Sequence, residues 1–430
     1  MTDYRNILVF LPNWVGDVVM ATPMLRTLRR RFAEARITYV GKPVAVETIR
    51  GTPWADELLV ERSRAGLMAT ANMMITLRRA RYDLAVLLPN SFRSAMLARL
   101  GGADDVIGYA RDGRSVFLTT KLSPPRGPDG RFTPTPMIDY YNALATRLGC
   151  DDPGGSMQLH TPATDETAAD ALLRGAGVPP ALCAPRDKPQ KDDESPSTHN
   201  AGGTPAPRLG PLVMLNPGAS FGPSKLWPAE RFAAVADGLV AARGARIIIN
   251  AAPSEHAVAQ AVADAMTHPP LVNFVGKQNS LGLLKALLGR CELLVTNDTG
   301  ARHIAAARGC GLVTVFGSTD PTWARIDYPR ERIVRRPVPC GPCQQKTCSQ
   351  PAGPDFHRCM TSIAPETVLA ECLAVLDLPR DAGAPPALCV PLALSVEDVK
   401  PSSPDAGRTP ARRAGETPAR HETPARRGQP

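Results

Sequence analysis

Three short segments of the chain combine residue types that can move a proton or hold a phosphate. The first, Pro12-Asn13-Trp14-Val15-Gly16-Asp17, places one carboxylate behind a glycine at the start of a helical stretch. Asp17 either caps that helix, a position Asp favours, or stands at a cleft mouth as general base for a hydroxyl. The second segment, NPGASFGPSKLWP over 216–228, sets Ser220 and Ser224 before Lys225 and then a Pro at a helix start. Backbone N–H groups, hydroxyls and an ammonium converging in this way form an anion cradle; a solvated loop lysine is the plainer reading. The chain has only nine Lys, so one in such a loop carries weight. The third segment runs Asn297-Asp298-Thr299-Gly300-Ala301-Arg302-His303, an apolar strand ending in polar groups at another helix start. There Asp298 caps, or Thr299 and Gly300 offer N–H groups to phosphate. Two such helix starts in one half of the chain make a diphosphate nucleotide credible.

The elements that must position these groups alternate in type. NILVFL at 6–11 reads as a buried strand, and 17–32 as a helix with Val18, Ala21, Leu25, Leu28 and Phe32 on one face. ARITYV follows as a strand, then a helix at 43–50, the strand ELLV at 57–60, a helix around 66–80 and the strand DLAVLL at 83–88. Unbroken apolar strands between helices indicate a parallel sheet covered on both faces. A helix is expected at 164–176. A second series begins at 211: LVMLN, helix 228–243, ARIIIN, helix 254–266, LVNFV, helix 280–289, ELLVTN, helix 299–308 and LVTVF, with a last helix at 365–377. The reading is therefore α/β, with two Rossmann-like doubly wound domains at 1–178 and 211–378. Ligands in such sheets sit beyond the carboxyl ends of the strands, and all three segments follow strands. Residues 179–210 are rich in Pro, Ser and charge without periodicity, as a disordered insertion would be, and 379–430 reads as a disordered Pro/Ala/Arg-rich tail with TPAR repeats.

Composition removes several classes. The formal charge is +9, but the last thirty residues carry six Arg against Asp405, Glu416 and Glu422, leaving an ordinary excess elsewhere. Aromatic residues are 5% and the longest basic run is Arg29-Arg30-Arg31, too little for a nucleic-acid binder. That run suits the end of the first helix, where cations complement the dipole, or an anionic lipid surface. No stretch approaches the about 20 apolar residues of a membrane span, and Asp17 interrupts the apolar start, so a signal peptide is not expected. Ten Cys in 430 residues suit a reducing cytoplasm rather than a disulfide scaffold. Neither the G-x-G-x-x-G fingerprint of a dehydrogenase nor the Walker A pattern is present.

NWVGDVVMATPMLRTLR, LNPGASFGPSKLWPAERF and TNDTGARHIAAA, in that order, resemble the lipopolysaccharide heptosyltransferases of glycosyltransferase family 9, the Trp-Val-Gly-Asp form being most similar to the type II enzymes. The resemblance covers about 1–377 without the insertion. It implies a GT-B fold, two Rossmann-like domains facing a cleft. It also implies inverting transfer of heptose from ADP-heptose to the inner-core heptose/Kdo region of lipid A-linked lipopolysaccharide. Asp17 then matches the base, with Asn13, Trp14 and Gly16 in the acceptor-side loop. Lys225 matches the lysine on the donor diphosphate, with Ser220 or Ser224 beside it. Asp298, Thr299, Gly300 and His303 match the second donor motif. Glu255 falls where the family often has a carboxylate facing the ribose, although NAAPSEH departs from the more Gly-rich form. No cofactor is required, since a lysine and helix dipoles can carry the diphosphate charge and no Asp-x-Asp is seen. Another nucleotide-sugar donor, or a nucleotide-binding dehydrogenase, is the alternative activity. The partners expected are an ADP-sugar, the lipid A-core acceptor and the cytoplasmic face of the inner membrane.

One cluster remains outside this scheme. Cys340, Cys343, Cys348 and Cys359 lie within twenty residues, with His357 nearby. Four thiolates, or three and His357, could hold a structural zinc; free thiols or a Cys-Gly-Pro-Cys redox pair are the alternatives.

Overall fold

The computed structural model describes residues 3–62, 66–180 and 210–379. The expected insertion and tail fall almost wholly outside these residues. Two six-stranded sheets form, and every strand pair within them is parallel. The first contains β1 (Asn6–Phe10), β2 (Arg36–Gly41), β3 (Glu57–Val60), β4 (Leu84–Leu87), β5 (Asp105–Tyr109) and β6 (Thr120–Leu122), in the order β3-β2-β1-β4-β5-β6. The second contains β7 (Leu212–Asn216), β8 (Arg246–Ile249), β9 (Val272–Asn273), β10 (Leu293–Asn297), β11 (Gly311–Phe316) and β12 (Glu331–Arg335), in the order β12-β11-β10-β7-β8-β9. The two orders are the same doubly wound arrangement. Each reverses direction once, between β1 and β4 in the first sheet and between β7 and β10 in the second, and a ligand crevice opens at that point.

The central strands are buried on both faces because consecutive apolar side chains, without alternation, fill all but their ends. Ile7, Leu8 and Val9 of β1 and Leu293, Leu294 and Val295 of β10 have no exposed surface. The helices are α1 (Val15–Met20), α2 (Thr22–Arg31), α3 (Pro43–Ile49), α4 (Leu67–Ala80), α5 (Phe92–Leu100), α6 (Met137–Arg147), α7 (Ala163–Gly175), α8 (Ala229–Arg243), α9 (His256–Ala265), α10 (Leu281–Leu288), α11 (Gly300–Ala307), α12 (Arg358–Thr361) and α13 (Pro365–Leu376). One core cluster runs through both halves, joining Ile7, Val18 and Leu28 to Leu287, Leu294 and Ile304.

Two sequence expectations are corrected here. The helix expected at 17–32 is two, α1 and α2, broken at Ala21, because Pro23 at the start of α2 has no N–H to continue the ladder. The first begins at Val15 and its N-cap is Trp14, so Asp17 lies inside the first turn and does not cap it.

The halves are tied by cations reaching from the second into the first. The Lys285 ammonium donates to the backbone carbonyls of Glu47 (3.3 Å), Thr48 (3.2 Å), Arg50 (2.8 Å) and His160 (3.3 Å). It thereby covers the C-terminal end of α3, where a positive charge is favoured. Arg290 pairs with Glu166 and, at 2.5 Å, with Asp170 of α7, so this helix of the first half is held against α10.

Candidate functional site

The loop after β1 carries Asn13, Trp14, Gly16 and Asp17; the loop after β7 carries Ser220, Ser224 and Lys225; the loop after β10 carries Asp298. All three therefore open at the two crevice points. The N-terminal turns of α1 and α11 meet there. A Cβ placed on Gly16 would lie 2.7 Å from Cδ2 of His303, and one on Gly300 would lie 2.8 Å from Cβ of Val15. Glycine at both positions is what lets the two helix starts approach this closely.

Asp17 sits one residue from that contact. Its carboxyl is largely withdrawn from water, which raises it to about 6 from the ordinary 3.8. Tyr141 of α6 lies close enough that the Asp17 charge helps to raise its phenol. A carboxylate poised near neutrality at a cleft mouth has the protonation behaviour a general base needs.

Lys225 and Asp298 form a nearly buried ion pair, and the ammonium also donates to the Asp298 carbonyl at 3.2 Å. The ammonium lies 4.8 Å from the centre of the Phe221 ring. Thr319 donates to the same Asp298 carboxylate at 2.9 Å. Burial alone would raise Asp298, but Lys225 outweighs it and holds the group below its usual range. Asp298 is thus neither a cap nor a free acid: it fixes the lysine. His303 is buried, and desolvation together with Arg302 lowers it to about 3, so the ring is neutral at physiological pH.

Glu255 extends over the loop after β7. A Cβ on Gly218 would fall on its carboxylate, and its Oε2 accepts from the Ala252 N–H at 3.2 Å. Desolvation raises this carboxyl. Ser220 is exposed on the outer part of the loop. Ser224 is not available in the same way: its hydroxyl is buried between Ser318 (3.0 Å) and the Gln345 carbonyl (2.5 Å), and its N–H donates to Lys346 (3.1 Å). As a phosphate helper it is corrected to a residue that anchors the Lys225 turn. Thr299 is the N-cap of α11 without a side-chain cap, and its hydroxyl receives a hydrogen bond from Asn216 at 3.2 Å.

Sequence reasoning gave no role to a polar ladder at the carboxyl ends of the second sheet. Asn279 donates to Asn250, Asn250 to Asn216 (2.6 Å), and Asn216 to Thr296 (3.1 Å). The signal was present, since the segments LVMLN, ARIIIN and LLVTN all end in Asn. Beside it, three buried atoms have no hydrogen-bond partner: Asn279 Oδ1, Asn297 Oδ1 and His303 Nδ1.

Among the described residues no three Cys, His, Asp or Glu side chains are arranged to hold an ion. Cys340, Cys343, Cys348 and Cys359 instead surround a small pocket together with His357, and the other three thiols raise Cys359 after burial has done so. Cys340 is exposed and the other three are half-buried. Its backbone grips the Lys225 turn through Gln345 and Lys346.

The family model for glycosyltransferase family 9 (heptosyltransferase) matches residues 71–353. The chain is 27% identical to lipopolysaccharide heptosyltransferase 2 of Escherichia coli K12 over 377 residues, covering 86% of this chain and 98% of that protein. Among solved structures, a family 9 glycosyl transferase from Veillonella parvula superposes with a TM-score of 0.69 at 22% identity, covering 87% of this chain and 97% of that one. The Escherichia coli ADP-heptose lps heptosyltransferase II superposes with a TM-score of 0.64 at 22% identity, covering 86% and 98%. The expected GT-B fold is thereby shown, and the chain belongs to glycosyltransferase family 9, the heptosyltransferase family.

Proposed function

We propose that this glycosyltransferase moves heptose from ADP-heptose to the heptose/Kdo region of the lipopolysaccharide inner core, with inversion at the anomeric carbon, at the cytoplasmic face of the inner membrane. Asp17 accepts the proton of the acceptor hydroxyl. The oxygen attacks the anomeric carbon as its bond to the diphosphate breaks, and ADP departs. Lys225 and the N-terminus of α11 take up the charge that develops on the leaving diphosphate. Glu255 faces the ribose, and the Asn216-Asn250-Asn279 ladder lines the nucleotide side of the crevice.

One observation carries this reading. The raised carboxyl of Asp17 comes from the first half, its neighbour Gly16 packs on His303 of α11, and Asp298, just before the N-cap of that helix, holds Lys225 in the second half. A base on one side and a cation with helix dipole on the other are the parts an inverting displacement requires.

The test is ligand-induced thermal stabilisation across ADP-, UDP-, GDP- and NAD-type ligands, followed by turnover. ADP and ADP-heptose raise the midpoint, and Lys225→Ala removes that shift. Asp17→Asn retains it but does not turn over, and NMR of the product shows the inverted anomer. Preference for UDP or NAD, or a retained anomer, defeats the proposal.

A further inference from the structure

The carboxyl edge of the first sheet exposes apolar side chains that the donor crevice does not use. Leu67 and Met68 open α4 and are 91% and 75% exposed; Trp14, the N-cap of α1, is 61% exposed; Val116, in the turn after β5, is 81% exposed. Val44 near the start of α3 and Phe92 at the start of α5 are also exposed. The strands are parallel, so these segments, which follow β1 to β5 in turn, leave from one edge. They are also physically connected. Arg93 donates to Thr70 at 2.7 Å, joining the first turns of α5 and α4, and the Phe92 and Phe117 rings meet edge to face at 5.1 Å.

The collar surrounds an opening rather than a flat face. A polar pocket lies inside it, lined by Asn13, Lys42, Glu61, Ser91 and Arg93, with Arg93 3.6 Å from Glu61. Asn13 belongs to the loop that carries Asp17. Lys42, Arg62, Arg93 and Arg111 share these segments with the apolar residues, and the acids Glu47, Glu61 and Asp112 there pair with cations: Glu47 with Arg50, Glu61 with Arg93 and Asp112 with Arg111. An apolar ring of this kind, mixed with cations, matches the interfacial region of a bilayer with anionic headgroups. A second copy of the chain or a folded partner seated on the ring would plug the pocket. A bilayer that itself carries the acceptor would deliver the sugar into it.

We infer that the collar of Trp14, Val44, Leu67, Met68, Phe92 and Val116 is a docking surface for anionic lipid, which sets the acceptor pocket against the membrane. This rests on the proposed reading that the acceptor is lipid-linked, but its test does not use turnover. The full chain is sedimented with vesicles of phosphatidylethanolamine and phosphatidylglycerol. The double variant Leu67→Glu, Met68→Glu partitions about tenfold or more weakly, while Ile333→Glu, at an exposed apolar position of β12, is unchanged. In the wild type, brominated lipids quench the part of the emission that Trp14→Phe removes. An unchanged thermal shift with ADP shows that the double variant is folded. Equal partition of wild type and double variant, binding abolished by salt alone, or Trp14 emission untouched by brominated lipid each overturns the inference. So does a concentration-dependent dimer that the double variant abolishes. Vesicle binding with no use of ADP-heptose would leave the docking surface standing and remove the donor reading instead.

Discussion

The carboxyl edges of the two sheets share a strand order and differ in almost everything else. On the second edge the polar groups are wired to one another: Lys225 to Asp298, Asp298 to Thr319, Ser224 to the 340–348 loop, and Asn to Asn across three strands. On the first edge Asp17 is held by desolvation rather than by a partner, and large apolar side chains stand in solvent. Such wiring is what the proposed donor, small and highly charged, needs for its orientation to be fixed. The first, in the proposed reading, receives something larger that arrives with its own surface. In the proposed reaction, preorganisation then sits where the leaving group would depart, which is where fixed dipoles lower a barrier most.

The sharpest way to break this contrast is Asp17→Asn. Loss of a general base lowers kcat by about a hundred- to ten-thousand-fold, with ADP binding unchanged in calorimetry. Its folded value of about 6 exceeds 3.8, so the charged form is disfavoured in the native state. Native stability is therefore lost as pH rises from about 3.8 to 6, and the neutral variant melts higher at pH 7, by about 1–3 kcal/mol. A melting point at or below wild type would show that the carboxylate is solvated after all.

Lys225→Ala comes next. It strands a buried carboxylate and costs about 3–5 kcal/mol. Removing Asp298 as well, as Lys225→Ala with Asp298→Ala, restores most of the stability but none of the ADP binding. Recovery of binding in the double variant would mean that Asp298, not the ligand, is the lysine's purpose. A third test is the pH profile. Because Asp17 must be ionised, kcat/KM falls about tenfold per pH unit below about 6, and His303, already neutral, adds no inflection between pH 5 and 8. The smallest effect is Ser224→Ala. It removes hydrogen bonds to Gln345 and Ser318, costs about 1–2 kcal/mol, and raises the donor KM without moving the acceptor KM.

Much of this was legible in the chain. Unbroken runs such as NILVFL and ELLVTN indicate a doubly covered parallel sheet, and the three polar segments following strands locate the crevice. The pairing of Lys225 with Asp298 was not legible, because it joins residues 73 apart through a strand order that no local pattern encodes. The same holds for Ser224, whose partner Gln345 is 121 residues away. The edge strand β6, only TKL and half exposed, is too short to show an alternation, and it goes unread. The cysteine spacing did foretell that Cys340, Cys343, Cys348 and Cys359 gather with His357 around one pocket, and spacing alone says nothing of what they hold.

The approach of Gly16 to His303 also bears on fidelity. An activated sugar is open to water as well as to its acceptor, and an enzyme that turns over without the acceptor wastes its donor. Here the first-half loop carrying Asp17, the proposed base, rests on a neutral ring from the second half, with no room for a methyl group between them. In the proposed reaction, the seam that brings base and donor together would therefore also be the seam that keeps water out. Gly16→Ala would hold the two helix starts apart, and its signature would be leakage: ADP released without a glycoside formed, at a rate that rises relative to transfer.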